Sequence, residues 1–422
     1  MLGKKKLIAA VAIASALGLG LSQSQVANAA GVTGSIEVFS WWTSGSENAA
    51  LQAILDSLQK SNPSLKIVNA AVAGGAGTNA QQVLATRLAG GDTPETWQTH
   101  PGGALKDYVT QGVLTDMNAL YTSQGWYKVV PKALTDSMTY NGKIYSVLTG
   151  VHRANVAWTN KADFKKAGAT LSDSFTFAKL SAAATKLKAA GITPVCLGDK
   201  DIWTAQMILE DLLVGELGAA KYNALAAGTA KWSDPSVAKV LGEFKTVLSW
   251  TNTDHKALDW TGAVAALANG SCAINFMGDW AYGELIVKQK KVDGVDFGYA
   301  IPGAARTFIT VGDSFVIGAK SKNPAAAEAF AKTVMDPAVQ LAFSKAKGSS
   351  PVRSDVSTAT LGKYQQGAAK TLATGTKVAS LVHGQQLVAA AVGQAFADAT
   401  TFFEGNSDAA AFGKSMDAAP RK

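Results

Sequence analysis

Ten tryptophans in 422 residues, against nine tyrosines, recur beside carboxylates, amides and imidazoles. Trp41-Trp42-Thr43-Ser44-Gly45-Ser46-Glu47 joins two indoles to a carboxylate, and Trp97-Gln98-Thr99-His100-Pro101-Gly102 combines an indole, an amide and an imidazole before a turn. Asp259-Trp260 and Gly278-Asp279-Trp280 are acid–indole pairs, and Trp203 follows Asp199-Lys200-Asp201. His152-Arg153-Ala154-Asn155 and the predicted turn Gly312-Asp313-Ser314 add polar groups. Lys347-Gly348-Ser349-Ser350-Pro351-Val352-Arg353 ends a predicted helix, and His383 falls in a predicted helical tail. A pyranose needs this mixture: its C–H face lies on an indole, while its hydroxyls take planar donors and acceptors. Core filling is the competing explanation for bulky aromatics, but it does not account for their repeated polar neighbours.

Catalytic readings fare less well. Glycoside hydrolysis needs two carboxylates facing across a bond, and Glu47, Asp279 and Asp313 could supply them. No sequence feature marks one as an acid with a raised pKa. There is no Gly-x-Ser-x-Gly elbow. The four histidines, 100, 152, 255 and 383, lack zinc-site pairing, and Gly74-Gly75-Ala76-Gly77 lacks the Lys-Ser/Thr of a P-loop. No cofactor is expected. A secreted carbohydrate-active enzyme with paired carboxylates is the alternative to a binding protein.

The elements that must position these residues alternate. Ser35–Ser40 shows strand alternation, whereas Leu51, Ile54, Leu55 and Leu58 recur at helical spacing before Asn62-Pro63. Leu65–Ala71 reads as a strand and Gln81–Leu88 as a helix. Past residue 150, strands are expected at Ala154–Asn160, Ile192–Cys196, Cys272–Met277, Asp296–Pro302 and Asp313–Ala319. Helices are expected at Phe175–Ala190, Ala205–Leu217, Val237–Trp250, Ala325–Val334 and Pro337–Ala346, and across most of Leu361–Phe403. Such βαβ alternation predicts α/β architecture with a largely parallel sheet. The polar–aromatic groups fall mostly at strand ends, where α/β sheets bind ligands.

Lys4-Lys5-Lys6, the 15-residue apolar run Leu7–Leu21 and Ala27-Asn28-Ala29 form the pattern of a secretory signal peptide, residues 1–29. The run is too short to span a membrane comfortably. The remaining 393 residues carry a formal charge of +5, since the leader holds three lysines and no acids. That is not the basic stripe of a nucleic-acid-binding protein. A hydrophobic content of 47% is ample for folded cores, in one large domain or two. No cysteine stands at the cleavage site to take a lipid, so free release into the periplasm is expected. The two cysteines, Cys196 and Cys272, either pair in that oxidising compartment or serve as small buried hydrophobes. Pairing would close a loop of about 76 residues and contribute about 4 kcal/mol in the chain-entropy model.

The Trp41–Glu47 segment, Asn275-Phe276-Met277-Gly278-Asp279-Trp280 and the Lys347–Arg353 segment together resemble the ABC-transporter periplasmic sugar-binding proteins among the family 1 solute-binding proteins. The Gly-Asp-Trp motif marks the class, while Trp-Trp-Thr-Ser-Gly with its Glu, joined by Trp-Gln-Thr-His, resembles the glucose-binding branch. The resemblance implies a type II periplasmic-binding-protein fold of two α/β lobes with a ligand cleft at the hinge. It implies residues 30–145 and 303–348 in lobe 1, 150–298 and 355–422 in lobe 2, and hinges near 146–149, 299–302 and 349–354. It assigns Trp41, Trp42, Glu47, Gln98, His100 and Asp313 to the first lobe's sugar site, Trp260, Trp280 and His383 to the second's, and Lys347 to the hinge. In that assignment Trp260 and Trp280 stack on the ring, Asp313 and Lys347 bind hydroxyls, and Glu47 and His100 orient or limit a second sugar unit. The implied partners are a hexose, glucose foremost, and a membrane ABC permease, with the receptor a monomer.

Overall fold

The computed structural model describes residues 31–421 apart from 44, 75–76, 173, 304–306, 387 and 389. The predicted signal peptide, Ser44 of the double-tryptophan segment and Gly75-Ala76 of the glycine-rich stretch lie outside the described residues.

Among the described residues the strands are β1 (Gly34–Phe39), β2 (Leu65–Asn69), β3 (Thr96–Thr99), β4 (Thr139–Tyr140), β5 (Lys143–Ile144) and β6 (Ser146–Arg153). They continue as β7 (Ala157–Asn160), β8 (Thr193–Val195), β9 (Cys272–Phe276), β10 (Phe297–Ala300), β11 (Phe308–Ile317) and β12 (Lys377–Ala379). A six-stranded sheet runs β12-β11-β3-β1-β2, with β6 also on β11, and a four-stranded sheet runs β10-β7-β9-β8. β4 and β5 form a separate hairpin. Each of the two larger sheets is packed with helices, giving two α/β lobes.

The expectation of a largely parallel sheet needs correction. β1 pairs in parallel with β2 and β3, but β11 runs antiparallel to both β3 and β6. In the second sheet only β8–β9 is parallel; β7 is antiparallel to β9 and β10. The cause is long-range: β11 enters the first sheet after the chain has built the second, and a returning strand can arrive in either direction.

Local patterning accounts for most elements. The helix Gly45–Ser61 buries Leu51, Ile54, Leu55 and Leu58, the stripe read from the sequence. Asp336 caps the helix Pro337–Lys347 by accepting from the Ala338 and Val339 amides, with proline in its first turn. The predicted helix end at Leu217 coincides with a break at Gly218, after which helical structure resumes to Ala227. β6 was invisible as a separate strand because all eight of its residues are buried, which removes alternation. Residues 154–156 then carry the chain directly from β6 in one sheet to β7 in the other. β12 lies on the six-stranded sheet, although its residues fall within the stretch expected in the second lobe.

Cys196 and Cys272 are bonded, with Cα atoms 5.3 Å apart. The bond ties the end of β8 to the start of β9 within the four-stranded sheet, where Thr193 pairs with Cys272. The same sheet rests on an aromatic cluster in which Trp158 packs against Tyr364 at 4.7 Å between ring centroids.

Candidate functional site

Asp313 occupies the middle of β11, not a turn. The ladder between β11 and β6 shifts register between Asp313 and Ser314. Such a bulge re-aims a side chain. Gly312 leaves room for its neighbours: a β-carbon there would lie 2.7 Å from Leu148 Cδ2 and 3.1 Å from Pro101 Cγ, so the leucine would have to shift. Thr96–Thr99, read as a junction, is strand β3, paired beside it with Thr99 opposite Ser314.

A cleft is lined by Trp41, Trp42, Glu47, His100, Trp203, Trp260, Trp280, Val311, Asp313, Lys347 and His383. Nine of the ten residues assigned to the site from the sequence meet there. The tenth, Gln98, lies behind the wall. Its amide oxygen accepts from the Trp41 backbone N–H at 3.2 Å, and its amide nitrogen donates to Asp313 Oδ1 at 3.4 Å. Trp203 and Val311 are additions; Trp203 stood out at its junction, but only the fold brings it to Trp280, 6.3 Å between centroids.

The charged wall is a network. His152 Nδ1 meets Asp279 Oδ1 at 2.5 Å, and its Nε2 lies 3.2 Å from Asp313 Oδ2. The second is an ion-pair contact without an aligned hydrogen bond. Burial works against the imidazolium, but Asp279 and Asp313 together hold its pKa above the ordinary value. Burial likewise opposes charge on Asp313, and His152, Lys347 and His100 outweigh it, holding its carboxyl well below the carboxylate range. Asp279 is fixed further by the Arg153 backbone N–H at 3.0 Å and the Tyr364 hydroxyl at 3.4 Å. Sequence inspection noted His152 without assigning it, because its partners lie 127 and 161 positions away.

Lys347 closes the helix Pro337–Lys347, where Gly348 takes the left-handed cap with φ +95°. Its ammonium donates to Glu47 Oε1 at 2.6 Å and lies over Trp42 at 5.3 Å and Trp280 at 5.9 Å from the ring centroids. Burial raises the Glu47 pKa against the pull of Lys347. Gly348 is also a point of closest approach, since a β-carbon would overlap the Asp279 carbonyl oxygen.

The adjacent tryptophans share the cleft without being equivalent. Trp42 is fully buried, against Phe315 at 5.8 Å and Phe343 at 5.3 Å, and its Nε1–H is buried without a partner. Trp41 packs on His100 at 5.3 Å. Opposite, Trp260 begins a helix capped by Asp259, which accepts from the Gly262 amide at 2.8 Å. Trp280 contacts His383 at 5.4 Å and His152 at 5.5 Å.

His383 lies in a turn, correcting its placement in a helix. Residues 377–386 pair with the first sheet: β12 joins β11, and the Gln385 side chain accepts from Gly312 N–H and donates to Gly312 C=O. Backbone glycines at 102–103 admit this segment, with Gly103 N–H donating to Gln386 C=O at 3.2 Å. The short Ser380–Gln385 connection is held by these tertiary bonds and not by a helical repeat, which is why helical reading failed there.

Two α/β lobes sharing an aromatic and charged cleft define a ligand receptor of the type II binding-protein fold. Residues 42–341 match the model of the bacterial extracellular solute-binding proteins, and the chain belongs to that family. It is 36% identical to an uncharacterized ABC transporter extracellular-binding protein of Pyrococcus horikoshii, over 83% of this chain and 79% of that one. It is 32% identical to a "probable sugar-binding periplasmic protein" of Rhizobium meliloti, over 90% and 92%. Its fold superposes on the bacterial solute receptor AcbH, described as exclusively preferring β-D-galactopyranose, with a TM-score of 0.79, 18% identity, and coverage of 92% and 98%. The protein is thus a sugar-binding component of an ABC transport system. Among the described residues no helix is long and apolar enough to cross a membrane.

Proposed function

We propose that the cleft binds a single hexose, with glucose the leading candidate, and that the loaded receptor delivers it to a membrane ABC permease. The observation carrying this reading is the convergence of five indoles on the Asp313–Lys347–Glu47 group in one cleft. Trp260 and Trp280 offer faces to the C–H side of a ring, and Asp313 and Lys347 bind hydroxyls. Glu47 and His100 limit room for a second unit. Ligand that touches both lobes stabilises the closed arrangement because only that arrangement completes its contacts. The segments crossing between the lobes are those near 154–156, 299–302 and 349–354, the first lying beyond the expected 146–149 because β6 runs on the first sheet to Arg153. Lobe 1 then comprises 30–153 with 303–348 and β12, and lobe 2 comprises 157–298 with 355–422 apart from β12. We assign residues 1–29 to a cleaved export signal, with the mature receptor a monomer free in the periplasm.

We infer binding without turnover because each candidate carboxyl is already engaged, Asp279 and Asp313 by His152 and Glu47, whose pKa burial raises, by Lys347, whereas hydrolysis requires a proton donor free to face the glycosidic oxygen. Calorimetry and tryptophan fluorescence against glucose, galactose, mannose, maltose and longer glucans test the reading. A monosaccharide should bind most tightly and change the emission. Tighter binding of an oligosaccharide would overturn the single-hexose assignment, and release of new reducing ends would overturn the receptor mechanism.

A further inference from the structure

Two histidines in the cleft have their proton positions fixed by groups behind them. His100 Nδ1 lies 3.0 Å from the Gly312 carbonyl oxygen. A carbonyl can only accept, so the ring must carry its proton on Nδ1. His383 Nδ1 lies 2.9 Å from Ser380 Oγ. Ser380 has one hydroxyl proton, and it donates that proton to Glu210 Oε2 at 2.8 Å. Burial raises the Glu210 pKa, and four donors oppose it in favour of the ionised, accepting form: Ser380 on Oε2, and on Oε1 the Tyr222 hydroxyl at 2.6 Å and the Leu381 and Val382 amides at 2.7 and 3.2 Å. The contact between Ser380 and His383 must therefore be supplied by the imidazole, which also carries its proton on Nδ1. Neither Nε2 has a hydrogen-bond partner among the described residues, and both rings line the cleft.

The rings are also kept uncharged. Burial lowers the pKa of His100, and burial with neighbouring His100 lowers that of His383 to about 3. The cleft thus offers two bare imidazole nitrogens and the carboxylates of Asp313 and Glu47 as acceptors. Against them stand Lys347, already engaged by Glu47, and the neutral indole N–H groups of the cleft tryptophans, of which that of Trp42 is buried without a partner among the described residues. Around the ligand space three carboxylates, Glu47, Asp279 and Asp313, face two cations, His152 and Lys347.

Resting on the sugar-receptor reading above, we propose that His100 and His383 are specificity-determining acceptors, fixed as Nδ1–H tautomers by Gly312 and by the Glu210–Ser380 relay, which select uncharged sugars that donate hydroxyl protons and reject sugar carboxylates. A uronate brings lone pairs and negative charge to a surface already rich in both, and among the described residues lining the cleft the cation, Lys347, is already paired with Glu47. Glu210 and Ser380 are positioning residues, acting through His383 without touching the sugar.

Two measurements on the full mature chain test this. Long-range ¹H–¹⁵N spectra of the histidine rings at neutral pH should show both as Nδ1–H tautomers with unprotonated Nε2. An Nε2–H tautomer or a doubly protonated ring at either position overturns the assignment without any ligand. Ser380→Ala should give His383 a mixture of tautomers, leave His100 unchanged and weaken binding of the preferred hexose at least fivefold. An unaltered His383 spectrum in a folded Ser380→Ala protein overturns the relay. Calorimetry with glucose against glucuronate, and galactose against galacturonate, should show each acid at least a hundredfold weaker than its parent. A uronate within tenfold overturns the selectivity. Failure of every neutral sugar to bind overturns the receptor reading and the selectivity with it, while the tautomer spectra still decide the ring assignment.

Discussion

The two walls of the cleft are built on opposite principles. The wall carried by the six-stranded sheet holds Asp313, His100, Lys347 and Glu47, each tied to at least one buried polar partner. The facing wall presents Trp203, Trp260 and Trp280, held by packing and by the starts of their helices. Buried charges require partners, because desolvating an unpaired one costs several kcal/mol, so their geometry is set before a ligand arrives. Aromatic surfaces need no such network and can be repositioned at low cost. The lobe behind the aromatic wall has an ion network of its own, Asp199 with His255 and Lys256 and Lys256 with Glu404, which does not line the cleft, and it also carries the chain's disulfide.

If the disulfide holds the sheet behind the aromatic wall, removing it should have the largest effect. Replacing Cys196 and Cys272 together with alanine should lower unfolding stability by about 4 kcal/mol, read by denaturant titration. Sugar affinity of the folded fraction should stay within about threefold; a large affinity loss at unchanged stability would reverse the roles assigned to the two halves. Asp313→Ala should weaken sugar binding at least about a hundredfold, about 2.7 kcal/mol, and lower the melting temperature, because His152 keeps only one of its two acids. Retained affinity in a folded protein would remove the charged wall from the site. Trp280→Ala should weaken binding about tenfold or more, about 1.4 kcal/mol, with little loss of thermal stability. A stability loss comparable to that of Asp313→Ala would dissolve the contrast between the walls.

Acid should probe the charged wall most gently. An unfolded histidine takes up a proton near its ordinary pKa, whereas His383 in the fold does so at about 3. Its folded pKa is depressed, so stability is complete above about pH 6.5 and falls as pH drops below it, by about 1 kcal/mol between about pH 7 and pH 5.5. His383→Gln should flatten that part of the pH profile, measured by chemical denaturation. An unchanged slope would mean that the imidazole is accessible to protons in the folded cleft.

Much of the site could be read from residue types. Acid–indole pairs at strand ends led to Trp260, Trp280 and Glu47, because local sequence determines where a strand stops and a helix is capped, whereas Asp313, expected in a turn, owes its place in the site to the family resemblance and sits mid-strand. Long-range pairing was beyond reach. The bulge at Asp313 exists only because β6 lies against β11, and Thr96–Thr99 is a strand through pairing with both β1 and the returning β11. His152 carries no local mark of its role, since both acids that charge it arrive from other elements. The turn at His383 is likewise imposed by Gly312 and Glu210. The two cysteines showed two options, and only the adjacency of β8 and β9 decided between them.

Gly348 determines how the receptor can change over generations. With no side chain, it lets the Lys347 helix end against the Asp279 carbonyl, so the groups presenting the ammonium and the Trp280 ring share one seam. Any side chain there would drive that seam apart and misplace both at once. Residue 348 should therefore be the least mutable position near the cleft in a selection for new sugars. Trp203 and Trp260, partly exposed and outside the ion network, are where altered specificity should first emerge.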